Sequence, residues 1–326
     1  MTKDRSVNNR KIKSYPAYLL LLVWLVLIEF GMPPALAQSP AVAVLYPDIR
    51  EPYRSVFLTI ISGIEDGTKG PVKRYTLDKD YAPAVLTAWL ERERITSVIA
   101  LGAQGVAAAR ALPSGRPIVI GAMLMEPTLK ADRFPGITLT PDPERLFAQL
   151  KVLTPGVRRI TVVYNRERSG WLIERAREAT KRHNLALNAL PAKDLREAAA
   201  LYRDALRQLG TVDAIWLPQD AATVDEHIIV PLILKEAWDR HLVVFSSNPA
   251  HAKRGALFSL YPDNAGMGRS LAALALQQLQ NRQDRTPDIV PLRDLLMAVN
   301  VRTAEHLGLK FSSRERQQFD LIFPSP

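Results

Sequence analysis

The stretch SVIALGAQGVAAAR, Ser97 to Arg110, is where the chain comes closest to a chemical motif. Apolar residues run into Gly102-Ala103-Gln104-Gly105, and an alanine-rich run follows at once. This predicts a buried strand, a tight turn and a helix whose first N–H groups have no partner within the helix. Such a helix start holds an anion or a polar head group. The same turn also serves as a bare connection, since every α/β domain has several. Asp225-Glu226-His227 offers two carboxylates and an imidazole, the donor types of a metal site. Consecutive residues on a helix point in different directions, however, and the triplet reads as solvated helix charge, with Glu226 in a cap. No Gly-x-Ser-x-Gly elbow, His-Glu-x-x-His pair or Gly-Lys-Ser/Thr phosphate loop occurs in the sequence. Gly102 and Gly105 lack the third glycine of a dinucleotide fingerprint, and the five histidines are scattered. No enzyme, cofactor or metal site is expected.

The elements that would position such residues alternate in type. AVAVLY after Pro40, VKRYTL, SVIAL and PIVIGAM read as strands, with helical stripes between them, such as Val56, Phe57, Ile60, Ile61 and Ile64. The pattern pauses over EPTLKADRFPGITLTPDPER, which is rich in proline, and restarts with RITVVYN, LALNAL, DAIWLP and LVVFS. Asp194–Glu197 and Thr223–Glu226 look like capping boxes, the second opening a helix that runs to Asp239. Strand–helix alternation of this kind means βαβ units. The fold class is α/β, with two parallel-sheet lobes joined by a multi-strand hinge. The expected division gives 41–139 plus about 257–290 to the first lobe and 140–256 plus about 291–326 to the second.

Residues 1–37 read as a cleavable leader. Lys3, Arg5, Arg10, Lys11 and Lys13 precede an uncharged apolar run from Ala17 to Ile28, and Ala35-Leu36-Ala37 is a small-x-small cleavage site. Twelve such residues fall short of the ~20 that a spanning helix needs. The location expected is the periplasm. The formal charge is +10; residues 1–37 carry five Lys/Arg and two Asp/Glu, so the remainder keeps +7. These charges are spread along helices without interleaved aromatics, so no nucleic-acid partner is expected. The chain has no cysteine, so neither a lipid anchor nor a disulfide is available.

With these pieces in order, the chain resembles the periplasmic substrate-binding proteins of ABC importers, type I fold, and among them the family with tryptophan/tyrosine-type binding proteins. RRITVVYN at 158–165, VDAIWLPQD at 212–220, RGALFSLYPDNAGMGRSLAALALQQL at 254–279 and LLMAVNVRTAEHLGL at 295–309 carry the resemblance. It implies an extracytoplasmic protein that closes on a small solute, such as an amino acid or a related compound. That solute would be delivered to an ABC permease in the inner membrane. A monomer is expected. A periplasmic sensor or accessory binding protein is the alternative, and an exported α/β enzyme a further one. Ligands of open α/β sheets sit outside the carboxyl ends of the strands. The expected ligand-binding residues are therefore Tyr46, Asp48, Gly102, Ala103, Gln104 and Glu126 in the first lobe. In the second they are Asn165, Ser169, Gln219, Asp220, Ser246 and Ser247, with Tyr261 near a crossover. The alternative for Asp220 is a helix-capping carboxylate ahead of Thr223.

Overall fold

A computed structural model describes residues 41–68, 70, 72–124, 134–280 and 288–324. The expected leader and Glu126 lie outside the described residues. The chain begins β1 (Val42–Pro47), α1 (Tyr53–Thr68), β2 (Val72–Leu77), α2 (Pro83–Arg92), β3 (Ser97–Leu101), α3 (Gly102–Ala111), β4 (Ile118–Gly121) and β5 (Gly136–Pro141). It continues with α4 (Pro143–Leu153), β6 (Arg159–Tyr164), α5 (Arg166–Arg182), β7 (Ala186–Pro191), α6 (Leu195–Gln208), β8 (Asp213–Leu217), α7 (Ile229–Asp239), β9 (Val243–Ser246), α8 (Pro249–Arg254) and β10 (Phe258–Pro262). The last elements are α9 (Asn264–Gln280), β11 (Ile289–Leu292), β12 (Leu295–Asn300), α10 (Val301–His306), α11 (Ser313–Arg316) and β13 (Leu321–Phe323).

Two sheets result. The first has six strands in the order β11-β5-β4-β3-β1-β2, all parallel. The second has seven in the order β13-β12-β10-β9-β8-β6-β7, with β10–β12 its one antiparallel pair. Every residue of β3, β4, β8 and β9 is buried, which is why these strands read as unbroken apolar runs: helices cover both faces of a parallel sheet.

In the first lobe the α1 stripe Ile60, Ile61 and Ile64 meets Met267, Leu271 and Ala272 of α9. The two helices touch backbone to backbone. A Cβ at Gly63 would sit 2.0 Å from the Ala265 carbonyl oxygen, and one at Gly268 would sit 2.1 Å from that of Ile60. The second lobe is packed around aromatics: Phe147 meets the Trp216 edge at 5.5 Å, and Phe245 stacks on Phe258 at 5.4 Å. Burying each such ring is worth ~2–3 kcal/mol.

Three crossings join the lobes: β5 to α4, β10 to α9, and β11 to β12. They are tied to each other, since Asp142 N donates to Leu292 O at 2.8 Å and Asp263 N to Asp294 O at 3.0 Å.

The structure departs from the sequence reading at four places. The tight turn expected at Gly102–Gly105 is absent: α3 follows β3 directly, and these four residues are its first turn. GITLTP, inside the proline-rich pause, is β5, hydrogen-bonded between β4 and β11. One of its partners, β11, comes from far along the chain, which local composition does not reveal. Residues 258–262, expected to return to the first lobe, form β10 in the second sheet, and the return is made by α9 and β11. Thr223–Glu226 opens no helix: α7 starts at Ile229, and Asp225 Oδ1 accepts from His227 N and Ile228 N. Glu226 instead reaches His251, Asn248 and Arg254.

Candidate solute-binding cleft

Each sheet has a point where the strand order reverses direction, and such switch points are where open α/β sheets bind ligands. In the first sheet it lies between β1 and β3. A cavity of about 560 Å³ opens there, lined by Pro47 and Ile49 after β1, Gly102, Ala103 and Gln104 after β3, and Met123 and Leu124 after β4. Tyr53, Val56 and Phe57 of α1 and Leu139 of β5 close its sides. The walls are mostly apolar. Tyr53 and Leu124, 63% and 50% exposed, leave large side chains in solvent at the rim.

The start of α3 shapes this cavity. Gly102 has φ +72°, a left-handed backbone, and a Cβ there would meet the Phe57 ring at 3.1 Å. α3 begins at Gly102 without a side-chain cap, so its first N–H groups have no capping side chain, and Gly102, Ala103 and Gln104 of this first turn line the cavity. Gln104 donates its Nε2 to Asp78 O and is held by the β2–α2 loop.

In the second sheet the switch point lies between β6 and β8. A cavity of about 410 Å³ is lined there by Glu167, Arg168, Ser169, Trp171 and Leu172 of α5 and by Gln219, Asp220 and Ala221 after β8. Leu124 and Thr140 of the first lobe complete it. Leu124 thus belongs to both cavities, and neighbouring Leu139 and Thr140 line one each. Glu167 and Arg168 are exposed and make no ion pair with each other or with another described residue.

Asp220, only 3% exposed, lies at the base of this second cavity. Its Oδ2 accepts from Asn165 N and Ser169 Oγ, both at 2.7 Å, and its Oδ1 accepts from Ala222 N at 3.1 Å. The carboxylate is therefore a junction between the β6–α5 turn and the loop after β8. Asn165 caps α5, accepting from Glu167 N and Arg168 N, and its amide donates to Lys193 O at 3.0 Å.

Of the residues expected at the ligand, the structure brings Gly102, Ala103 and Gln104 to one cavity and Ser169, Gln219 and Asp220 to the other. Tyr46 and Asp48 adjoin the first cavity without lining it; the Tyr46 hydroxyl accepts from Thr76 at 2.8 Å. Ser246, Ser247 and Tyr261 line neither. Tyr53, Leu124, Arg168 and Trp171 line the cavities without having been singled out. An aromatic residue in the first turn of the helix after β1 is the one signal that marks Tyr53 in the sequence.

Ser246 and Ser247 are fully buried. Ser246 Oγ lies 2.7 Å from His251 Nδ1, and His251 Nε2 lies 2.8 Å from Glu226 Oε1, a serine–histidine–acid chain. It points inward. Ser246 Oγ also accepts from Asn248 N at 3.0 Å and lies 3.2 Å from Leu217 O, so no face is left for a reacting atom. Burial pulls the His251 imidazole below its usual pKa, against the opposing pull of Glu226. A neutral ring donating Nε2–H to Glu226 and accepting from Ser246 satisfies the whole chain. Its effect is to tie the loop after β8 to α8.

Two α/β lobes, three crossings between them and a cavity at each switch point define the type I periplasmic-binding fold. The chain belongs to the ABC transporter substrate-binding protein family, whose model matches residues 90–315. It is a solute-binding protein of a family that is not one of enzymes. Among solved structures, the ligand-free, open structure of CD0873, a substrate-binding protein with adhesive properties from Clostridium difficile, is similar in fold. The TM-score is 0.61 at 13% identity, over 88% of this chain and 100% of that one. An ABC domain in complex with L-Trp from Streptococcus pneumoniae matches at TM-score 0.48 and 17% identity, over 86% of this chain and 100% of that one. A conserved domain protein from Vibrio cholerae matches at 0.49 and 16%, over 87% of this chain and 100% of that one. No curated protein sequence matches at a significant level.

Proposed function

We infer that the protein is an extracytoplasmic receptor that captures an amino-acid-like solute between its lobes and hands it to an ABC permease. The observation that carries this reading is the pair of switch-point cavities sharing Leu124. Their chemistry is complementary. The first lobe offers an apolar pocket with Tyr53 and Phe57 and the uncapped start of α3. The second offers an Arg168 guanidinium and a Glu167 carboxylate without ion-pair partners among the described residues. An apolar side chain would occupy the first wall, and a carboxylate and an ammonium would meet the second. The leader read in residues 1–37 supports export to the periplasm, where such receptors work. The three crossings supply a hinge for closure.

The test is a thermal-shift screen against the common amino acids, followed by calorimetry on the hits. A ligand at 100 times its dissociation constant adds ~2.7 kcal/mol, a readily visible shift. Apolar or aromatic amino acids are expected to stabilise. Arg168→Gln is expected to weaken their binding by about 1.5–3 kcal/mol, the worth of a hydrogen bond to a charged group, with the melting temperature of the free protein unchanged. Stabilisation by no amino acid, or full affinity in Arg168→Gln, overturns the reading.

A further inference from the structure

A third cavity, of about 490 Å³, lies at the opposite edge of the second sheet from the cleft. Asn300, at the end of β12, lies beside the start of β10, where the pairing runs Phe258 to Val299. Lys235 and Trp238 come from the last part of α7, which leads into β9, and Lys253 and Arg254 from the end of α8, which leads into β10. The cavity therefore opens at the amino ends of β9 and β10, and the second-lobe cavity of the candidate cleft at the carboxyl ends of β6 and β8.

Its lining carries four cations, Lys235, Lys253, Arg254 and Arg302, and no carboxylate among the described residues. Arg254 is paired with Glu226 at 3.0 Å, and the Arg302 guanidinium lies 5.6 Å over the Trp238 ring. Lys235 and Lys253 make no ion pair or hydrogen bond with a described side chain, although acids stand nearby: Glu236 pairs with Arg240 and Glu305 with Arg316. Counting Glu226, the cavity keeps a local excess of three positive charges. Asn300 and Thr303 are already bonded to Ala252 O and Gly255 O. The side-chain groups with capacity to spare are thus donors carrying positive charge. Such a wall repels a zwitterion's ammonium and favours a ligand made of acceptors. A concave surface of one sign also focuses its field on a counter-ion.

We propose that this cavity is a second ligand site, separate from the solute cleft, that takes a phosphorylated group of two or more negative charges. Lys235 and Lys253 are its principal contacts, and Arg254 and Arg302 form its charged border. A free phosphorylated metabolite and an anionic lipid head group share this chemistry.

The test titrates the purified protein with inorganic pyrophosphate at constant ionic strength, followed by calorimetry. Three proteins are compared: the native chain, Lys235→Gln/Lys253→Gln, and Arg196→Gln/Arg203→Gln. The last pair removes two exposed cations from α6, elsewhere on the same lobe. Circular dichroism confirms that each is folded. Pyrophosphate affinity is expected to fall at least tenfold in the lysine pair and less than twofold in the arginine pair. Co-sedimentation with vesicles containing cardiolipin, whose head group carries two phosphates, against phosphatidylcholine vesicles, identifies the source. Lysine-dependent sedimentation means a lipid head group, and pyrophosphate binding without it means a free anion. Equal losses in both pairs would reduce the effect to net charge and overturn the proposal, as would no pyrophosphate binding by the native chain.

Discussion

Replacing Asp220 by asparagine separates a structural junction from a ligand contact. The carboxylate is 3% exposed and accepts from Asn165 N, Ser169 Oγ and Ala222 N. In the least disruptive placement the amide oxygen keeps the Oδ2 position and its two donors. Each of those bonds then loses its charge assistance, about 1 kcal/mol apiece. The amide nitrogen would occupy the Oδ1 position, 3.1 Å from Ala222 N, where donor faces donor. Losing that bond and leaving a part-buried N–H unmet costs about 1–3 kcal/mol. The total is about 3–5 kcal/mol, a large share of the 5–15 kcal/mol typical of a folded protein. At about 2 °C per kcal/mol for a chain of this size, melting should fall by about 6–10 °C. Calorimetry and urea unfolding of the ligand-free protein measure it. A change below ~1 kcal/mol, with affinity for the solute lost, would refute the junction and make Asp220 a ligand contact after all.

Two further outcomes follow from the geometry. His251 is held neutral by burial, with its pKa below the ordinary value of 6.5, so the unfolded chain binds a proton that the folded one does not. This contribution is fully present above pH 6.5 and is lost as pH falls from there toward the folded pKa. The urea midpoint should therefore drop between pH 7 and pH 5, and His251→Gln should flatten that slope; an equal slope in the variant would exclude His251 as its source. Gly102→Ala should cost about 1–2 kcal/mol in urea unfolding, because its φ of +72° is disfavoured for any residue with a Cβ. Unchanged stability would mean the turn relaxes freely.

Local pattern alone settled much of this protein. Strands such as SVIAL and DAIWL are continuous apolar runs because both their faces are covered, and that burial is written into consecutive residues. The α1 stripe and the Asp194 cap are likewise encoded within a few positions, and Glu197 N does donate to Asp194 at 2.9 Å. The glycine at 102 was visible for the same reason, because a left-handed backbone asks for glycine at the spot itself, although the turn expected at 102–105 proved to be the start of α3.

Strand order is a different kind of information. The cavities exist because β1 lies beside β3 and β6 beside β8, pairings between segments dozens of residues apart. Only those neighbours bring Tyr53 to Gly102, or Ser169 to Asp220. Asp220 followed a strand, as a ligand contact or a cap would. Its actual partners, Asn165 and Ser169, lie more than fifty residues away and reach it because β6 and β8 pair in parallel. β5 stayed hidden among prolines because its ladder is completed by β4 on one side and, on the other, by β11 from far later in the chain. Sequence specifies side-chain type and local backbone freedom; which donors meet which acceptors across the sheets is decided only when the long-range pairings close.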